Sequence, residues 1–181
     1  MGSASIMLFN NFLFFISTVF GLNTPITSQK TSLEIDLSTK IVTIDYYDLV
    51  IPSNTDEYQK EEAIKELKLA KGLEERYRSF KLLSKKFSNE AGQINAHITF
   101  KYDNEEDLFY VLKFEKAEDN LIHYRLFKDE ILESSNDTNK TNDLKRNLIW
   151  DRETTLIKMT ISENGNYKKA NEGVSSISNY W

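Results

Sequence analysis

The segment Ile94-Asn-Ala-His-Ile-Thr-Phe-Lys-Tyr102 alternates apolar and polar side chains without a break. A strand turns successive side chains to opposite faces, so such a segment is satisfied in a sheet with one dry face and one wet face. The same alternation runs through residues 30 to 51, with Leu33, Ile35 and Leu37 against Glu34 and Asp36, then Val42, Ile44 and Tyr46 against Thr43, Asp45 and Tyr47. Two strands joined near Ser38-Thr39-Lys40 follow, closed by Pro52, which has no N–H to donate.

Ser53-Asn54-Thr55-Asp56 are helix N-cap candidates, with the acid Glu57 in the first turn. From Glu57 to Phe87 the residues Ala63, Leu67, Ala70, Tyr77, Phe80, Leu83 and Phe87 keep mostly three- and four-residue spacing. That spacing predicts one long helix, with Gly72 as the point where it would kink or break. Beyond Tyr102, the acidic run Asp103 to Asp107 reads as a hairpin tip leading into a strand over Leu108 to Glu115. A second turn at Glu118-Asp119-Asn120 leads into a strand over Leu121 to Lys128. Ser134 to Asp143 is polar throughout and predicts an exposed loop. Strands are expected at Asn147 to Trp150 and Thr155 to Ile161, a hairpin turn at Asn164-Gly165, a short strand over Tyr167 to Ala170, and a frayed end from Asn171 to Trp181. The expected class is α+β, with one long helix packed on a curved antiparallel sheet of about six to eight strands. A two-sheet β-sandwich with an edge helix is the alternative. No alternation of strand, helix and strand is present, which disfavours a doubly wound nucleotide-binding fold.

The front of the chain says where it goes. No charged side chain precedes Lys30, and Ile6 to Leu22 is a 17-residue apolar stretch interrupted by Asn10, Asn11, Ser17 and Thr18. That is short of the roughly 20 residues a spanning helix needs, while the block Phe12 to Phe20 matches the roughly 7–15 of a signal-peptide core. Residues 1–21 are therefore read as a signal peptide cleaved near Gly21, 22–170 as a single globular domain and 171–181 as a C-terminal tail. An uncleaved anchor and a buried helix are the competing readings of the same run. The chain has no cysteine, so disulfides, thiolate catalysis and Cys-type zinc sites are excluded together. A net charge of −5 supplies no basic field for nucleic acid or anionic lipid. Membrane contact is expected only through an uncleaved leader or a membrane-bound partner.

No catalytic or cofactor motif stands out. His97 and His123 could hold a metal, or form a base and its orienter, if they met on a polar face with Asp45 or Asp107; solvent-facing strand histidines are the plainer reading. The run Asp103 to Asp107 fails as a calcium loop because its sixth position is not Gly and Phe114 occupies the twelfth. Glu61, Glu62, Glu74 and Glu75, with Lys and Arg neighbours, read as a solvated helix face. Six glycines without a Gly-x-Gly pair exclude the phosphate-loop fingerprints, and no cofactor or metal is expected. Asn136-Asp-Thr138 and Asn139-Lys-Thr141 match the N-glycosylation acceptor, making Asn136 and Asn139 the candidate modification sites. The run Leu108 to Leu112 would be apolar on both faces of a strand, implying a sandwiched strand or a partner surface. Together these features point to a non-enzymatic secretory-pathway protein, lumenal or extracellular, acting as an interaction or accessory module with a protein partner. It could be a lumenal subunit of a membrane-bound complex. A small-ligand carrier using the concavity of a curved sheet is the first alternative, and a hydrolase without a sequence signature the second.

Overall fold

The computed structural model describes residues 16–24, 26–117, 121–127, 130–138, 146–151, 153–163 and 174–181. A short helix α1 (Ile16–Phe20) precedes the hairpin of β1 (Thr27–Asp36) and β2 (Ile41–Pro52). The hairpin turn is fastened by Asp36, whose Oδ1 accepts the Ser38 hydroxyl at 2.6 Å and the Ser38 and Thr39 amides at 2.9 and 3.0 Å. Helix α2 (Glu57–Leu69) starts where expected, at Asp56, whose Oδ1 accepts the Gln59 amide at 2.8 Å. Then come α3 (Leu73–Arg76), β3 (Phe80–Glu90), β4 (Gln93–Tyr102) and α4 (Glu105–Leu112). The remaining strands are β5 (Phe114–Lys116), β6 (Ile122–Arg125), β7 (Glu130–Ser135), β8 (Asn147–Trp150), β9 (Leu156–Glu163) and β10 (Val174–Ser176), followed by a 3-10 turn at Ile177–Tyr180.

The architecture is mostly antiparallel sheet with short helices. A seven-stranded sheet has the order β3-β4-β2-β1-β9-β7, with β10 on β2, and a three-stranded sheet has the order β5-β6-β8. The inner side of the large sheet carries Ile35, Ile44, Tyr46, Ile98, Phe100 and Ile157, all fully buried. Over it lie Ile64 and Leu67 of α2, Leu108 and Leu112 of α4, and Phe114, Tyr124 and Trp150 of the small sheet, in one continuous core. The inward face of the large sheet is thus covered by the protein's own side chains. Tyr46 buries its hydroxyl without a hydrogen-bond partner, and burial holds this phenol above its ordinary pKa.

The single long helix over Glu57 to Phe87 is not present. Helix α2 ends at Leu69, Gly72 sits at φ 69°, and Phe80–Glu90 is a strand paired with β4. The misleading spacing has a physical origin in a bulge. Leu82 pairs with Phe100 and Lys85 with Ile98, so both point inward, and the register shift between Leu82 and Ser84 inserts one extra residue. Phe80 and Phe87, seven residues apart, therefore pair on the same side with Tyr102 and Ala96, and the inserted, exposed Leu83 between them completes the apparent helical spacing. The strand expected over Leu108 to Glu115 is mostly helix: Asn104 Oδ1 accepts the Glu106 and Asp107 amides at 2.8 and 3.3 Å, and three acids occupy the first turn. The apolar run on both faces resolves accordingly, since Leu108, Phe109, Val111 and Leu112 form one buried helical stripe while Tyr110 is exposed.

Residues 16–20 and 174–181 are packed against the core. Ile16, Val19 and Phe20 of α1 are buried, with Arg76 Nη2 donating to the Val19 carbonyl at 3.2 Å. Gly72 makes room for them: a Cβ there would stand 3.0 Å from the Phe20 ring and 3.1 Å from Val19 O. The expected fraying from Asn171 onward is corrected for residues 174–181. Val174–Ser176 pairs with Ile51 and its neighbours on β2, Ile177 is fully buried, and the Trp181 ring lies 4.7 Å from that of Phe87 under Lys68. The start of the polar loop also differs, because Ser134 and Ser135 end β7, paired with Thr160 and Met159. The turn expected at Asn164-Gly165, the strand over Tyr167 to Ala170 and the front of the leader lie outside the described residues.

Candidate functional site

The side of the large sheet away from the core presents polar side chains in register. Lys86, His97, Asp45, Ser32, Thr160 and Ser134 form one line across six strands, each paired with the next. A second line holds Ser84, Thr99, Thr43, Glu34 and Lys158. Neighbours bond across strands: Ser32 and Thr160 hydroxyls at 2.9 Å, Thr43 and Thr99 hydroxyls at 3.5 Å, and Lys158 to Glu34 at 2.7 Å. Towards one edge Lys30 pairs with Glu133 at 2.7 Å and lies 5.8 Å from the Tyr47 ring centre. The hydrogen bond between them raises the Lys30 ammonium and lowers the Glu133 carboxyl relative to their ordinary values. Strand alternation produces this face, because along β4 each outward polar residue stands between inward apolar ones.

At its centre Asp45 and His97 are directly cross-strand. His97 Nδ1 is 2.6 Å from Asp45 Oδ1, and His97 Nε2 is 3.4 Å from Thr99 Oγ1. A carboxylate therefore orients the ring and leaves its second nitrogen beside a hydroxyl, the geometry of a base with its orienter. The pair sits in the open, with the His97 side chain 49 % exposed, so water competes for every bond it could offer. Two shallow depressions meet at Asp45. One of about 390 Å³ includes Ser32, Glu34 and Thr160, and one of about 360 Å³ includes Tyr47, Lys86 and Asn95. Fixed hydroxyls, one imidazole and charges of both signs on an open sheet suit hydrogen-bonded recognition of a polar surface.

The other residues singled out in the sequence are dispersed. His123 is on the small sheet opposite Glu115 and Ile149, with its Nε2 buried and without a hydrogen-bond partner. Asp107 accepts the Ser79 hydroxyl at 2.5 Å, so the acidic run Asp103 to Asp107 serves the start of α4 instead of a hairpin tip. Glu74 is an anchor: its Oε2 accepts the Leu82 amide at 2.8 Å. Among the described residues no group of three or more His, Asp or Glu is placed to hold a metal ion.

Asn136 lies just beyond β7, and its side chain is engaged at both atoms. Nδ2 donates to Leu156 O at 2.7 Å, while Oδ1 accepts Trp150 Nε1–H at 2.8 Å and the Lys158 amide at 2.8 Å. It joins β8 of the small sheet to β9 of the large one. Asn139 lies outside the described residues. Sequence reasoning missed the bridging role of Asn136 and the six-strand line. The outward residues were visible in each strand's alternation, but which strands neighbour one another has no local signal. Comparisons of the chain with protein-family models, with curated proteins and with solved structures return no match.

Proposed function

We propose that the chain is a non-enzymatic interaction module of the secretory pathway that engages a protein partner through the open polar face of its large sheet. The observation that carries this reading is the line Lys86, His97, Asp45, Ser32, Thr160, Ser134, six polar residues in register on six paired strands. A carrier holding its ligand against the inward face of the sheet is not favoured, because Phe100, Tyr124 and Trp150 belong to the packed core there. The secretory address rests on the uncharged apolar run before Lys30. The burial of Ile16, Val19 and Phe20 favours retention of that run's last turns over cleavage near Gly21. Among the described residues no helix is long and apolar enough to cross a membrane.

The test is affinity capture from native membranes using the full chain and a face variant, Asp45→Lys with Thr160→Lys. A stoichiometric partner retained by the natural chain and lost by the variant supports the reading; equal capture by both removes the face from it. Mass spectrometry of the natively expressed amino terminus reports whether Ile16–Phe20 is kept, and an N-glycosidase mobility shift reports use of Asn136 or Asn139. A hydrolase is the second reading, on the strength of the Asp45–His97–Thr99 chain alone. Ester-cleaving activity that disappears in His97→Ala would replace the first reading with this one.

A further inference from the structure

We propose that the small sheet carries a binding site for an anionic ligand with an apolar part, a carboxylate or phosphate attached to a hydrocarbon group. This site is distinct from the polar face and does not depend on it. A depression of about 460 Å³ is lined by Lys113, Glu115, Arg125, Leu126, Phe127 and Arg146. Small-ligand pockets span about 300–1,000 Å³, so the space suits a molecule rather than a single water. The chain as a whole has a net charge of −5, yet among the described residues this depression is lined by three cations and one carboxylate, the Lys113 ammonium lying 4.9 Å from the Tyr110 ring centre as well. A local field opposite in sign to the average selects anions.

The backbone that carries these residues is fixed by hydrogen bonds. Lys113 is held at φ 61° as the C-cap of α4, with its N–H bonded to the Phe109 carbonyl. Lys113 directly precedes Phe114, which pairs with Tyr124, and Arg125, the residue after Tyr124, pairs with Asn147. Arg146 is fixed alongside, its carbonyl accepting the Leu126 amide at 2.6 Å. Leu126 is buried, and the next residue is pinned from below: the Phe127 amide donates to Glu130 Oε2 at 2.8 Å and the Glu130 amide to Phe127 O at 3.0 Å. The Tyr124 hydroxyl secures the buried Glu130 carboxylate at 3.2 Å. Planar guanidinium groups take carboxylate or phosphate oxygens in pairs, while Leu126 and Phe127 offer the apolar wall that a hydrated inorganic anion would not use. Glu115 in the same lining disfavours a ligand with several negative charges.

The experiment is calorimetric titration of the full chain with octanoate, inorganic phosphate and octylammonium, alongside amide NMR shifts. Octanoate is expected to saturate one site and to move the amides of Lys113, Arg125, Leu126 and Phe127, with phosphate weaker and octylammonium inert. Arg125→Glu and Lys113→Glu, both exposed positions, are each expected to weaken octanoate at least about tenfold, corresponding to about 1.4 kcal/mol. Lys65→Glu on α2 is the charge-matched control and keeps natural affinity. Octylammonium binding as well as octanoate, or both reversed variants binding octanoate like the natural chain, overturns the proposal. Phosphate binding as tightly as octanoate overturns its apolar half. Thermal melts of each variant identify any that has lost the fold, and for such a variant the NMR shifts of the natural chain decide.

Discussion

In the large sheet β1, β2, β3 and β4 run ten, twelve, eleven and ten residues, whereas β5, β6 and β8 of the small sheet run three, four and four. Long strands accumulate ladder hydrogen bonds and a continuous inward stripe, so no one side chain defines them. Strands of three or four residues cannot do this and are marginal by themselves. The small sheet is held by its anchors. Phe114 lies 5.1 Å from Tyr124 and 5.8 Å from Trp150 between ring centres, and Asn136 fastens Trp150 to β9. Aromatic pairs of this kind contribute about 0.5–1.5 kcal/mol beyond their burial.

The most damaging test is Trp150→Ala. It should cost about 3–5 kcal/mol, the range for truncating a buried aromatic. Native-state hydrogen exchange should show amides of β5, β6 and β8 opening well before those of β2 and β4. Simultaneous loss of protection in all five strands would erase the contrast. Next is Asn136→Ala, which strands the Trp150 indole N–H and two backbone groups and should cost about 1–3 kcal/mol by denaturant titration. A double mutant with Trp150→Phe should cost less than the sum of the singles, since the two changes remove one bond.

Two smaller effects belong to the large sheet. The Asp36 carboxyl is held down to about 2 by the Ser38 hydroxyl and then the Thr39 amide. A depressed carboxyl contributes stability that is fully present above its unfolded value of about 3.9 and is lost as pH falls through about 2. The stability gap between the natural chain and Asp36→Asn should therefore be flat above pH about 5 and shrink towards pH about 2, read from melting temperatures. Tyr46→Phe is expected to leave stability unchanged or slightly raised, because it removes a buried hydroxyl that has no partner. A marked loss of stability on that change would mean that the hydroxyl is bonded in solution.

The same contrast separates what was legible in the sequence from what was not. The burial of β4, with Ile94, Ala96, Ile98, Phe100 and Tyr102 inward, follows directly from its alternation, as does the β1–β2 hairpin around Asp36. Helix α2 was marked by its Asp56 cap. The β3 strand was hidden because a bulge imitates helical spacing, and α4 because five consecutive apolar residues satisfy a strand and a helix alike. The Asp45–His97 pair was legible as two residue types that could meet; their adjacency came from the β2–β4 register. The cations of the small sheet come from α4, β6 and the approach to β8, and nothing local to any of them announces the other two.

Among the described residues the strands at the two ends of the large sheet, β3 and β7, both carry irregularities. β3 shifts register between Leu82 and Ser84, β7 between Leu132 and Ser134, and Glu74 already occupies the Leu82 amide. A further copy of the chain offering a straight strand to either rim would find donors and acceptors out of step after a few residues. Register shifts of this kind at both ends of the described sheet oppose growth by successive strand addition, whereas the polar face can be approached without being copied.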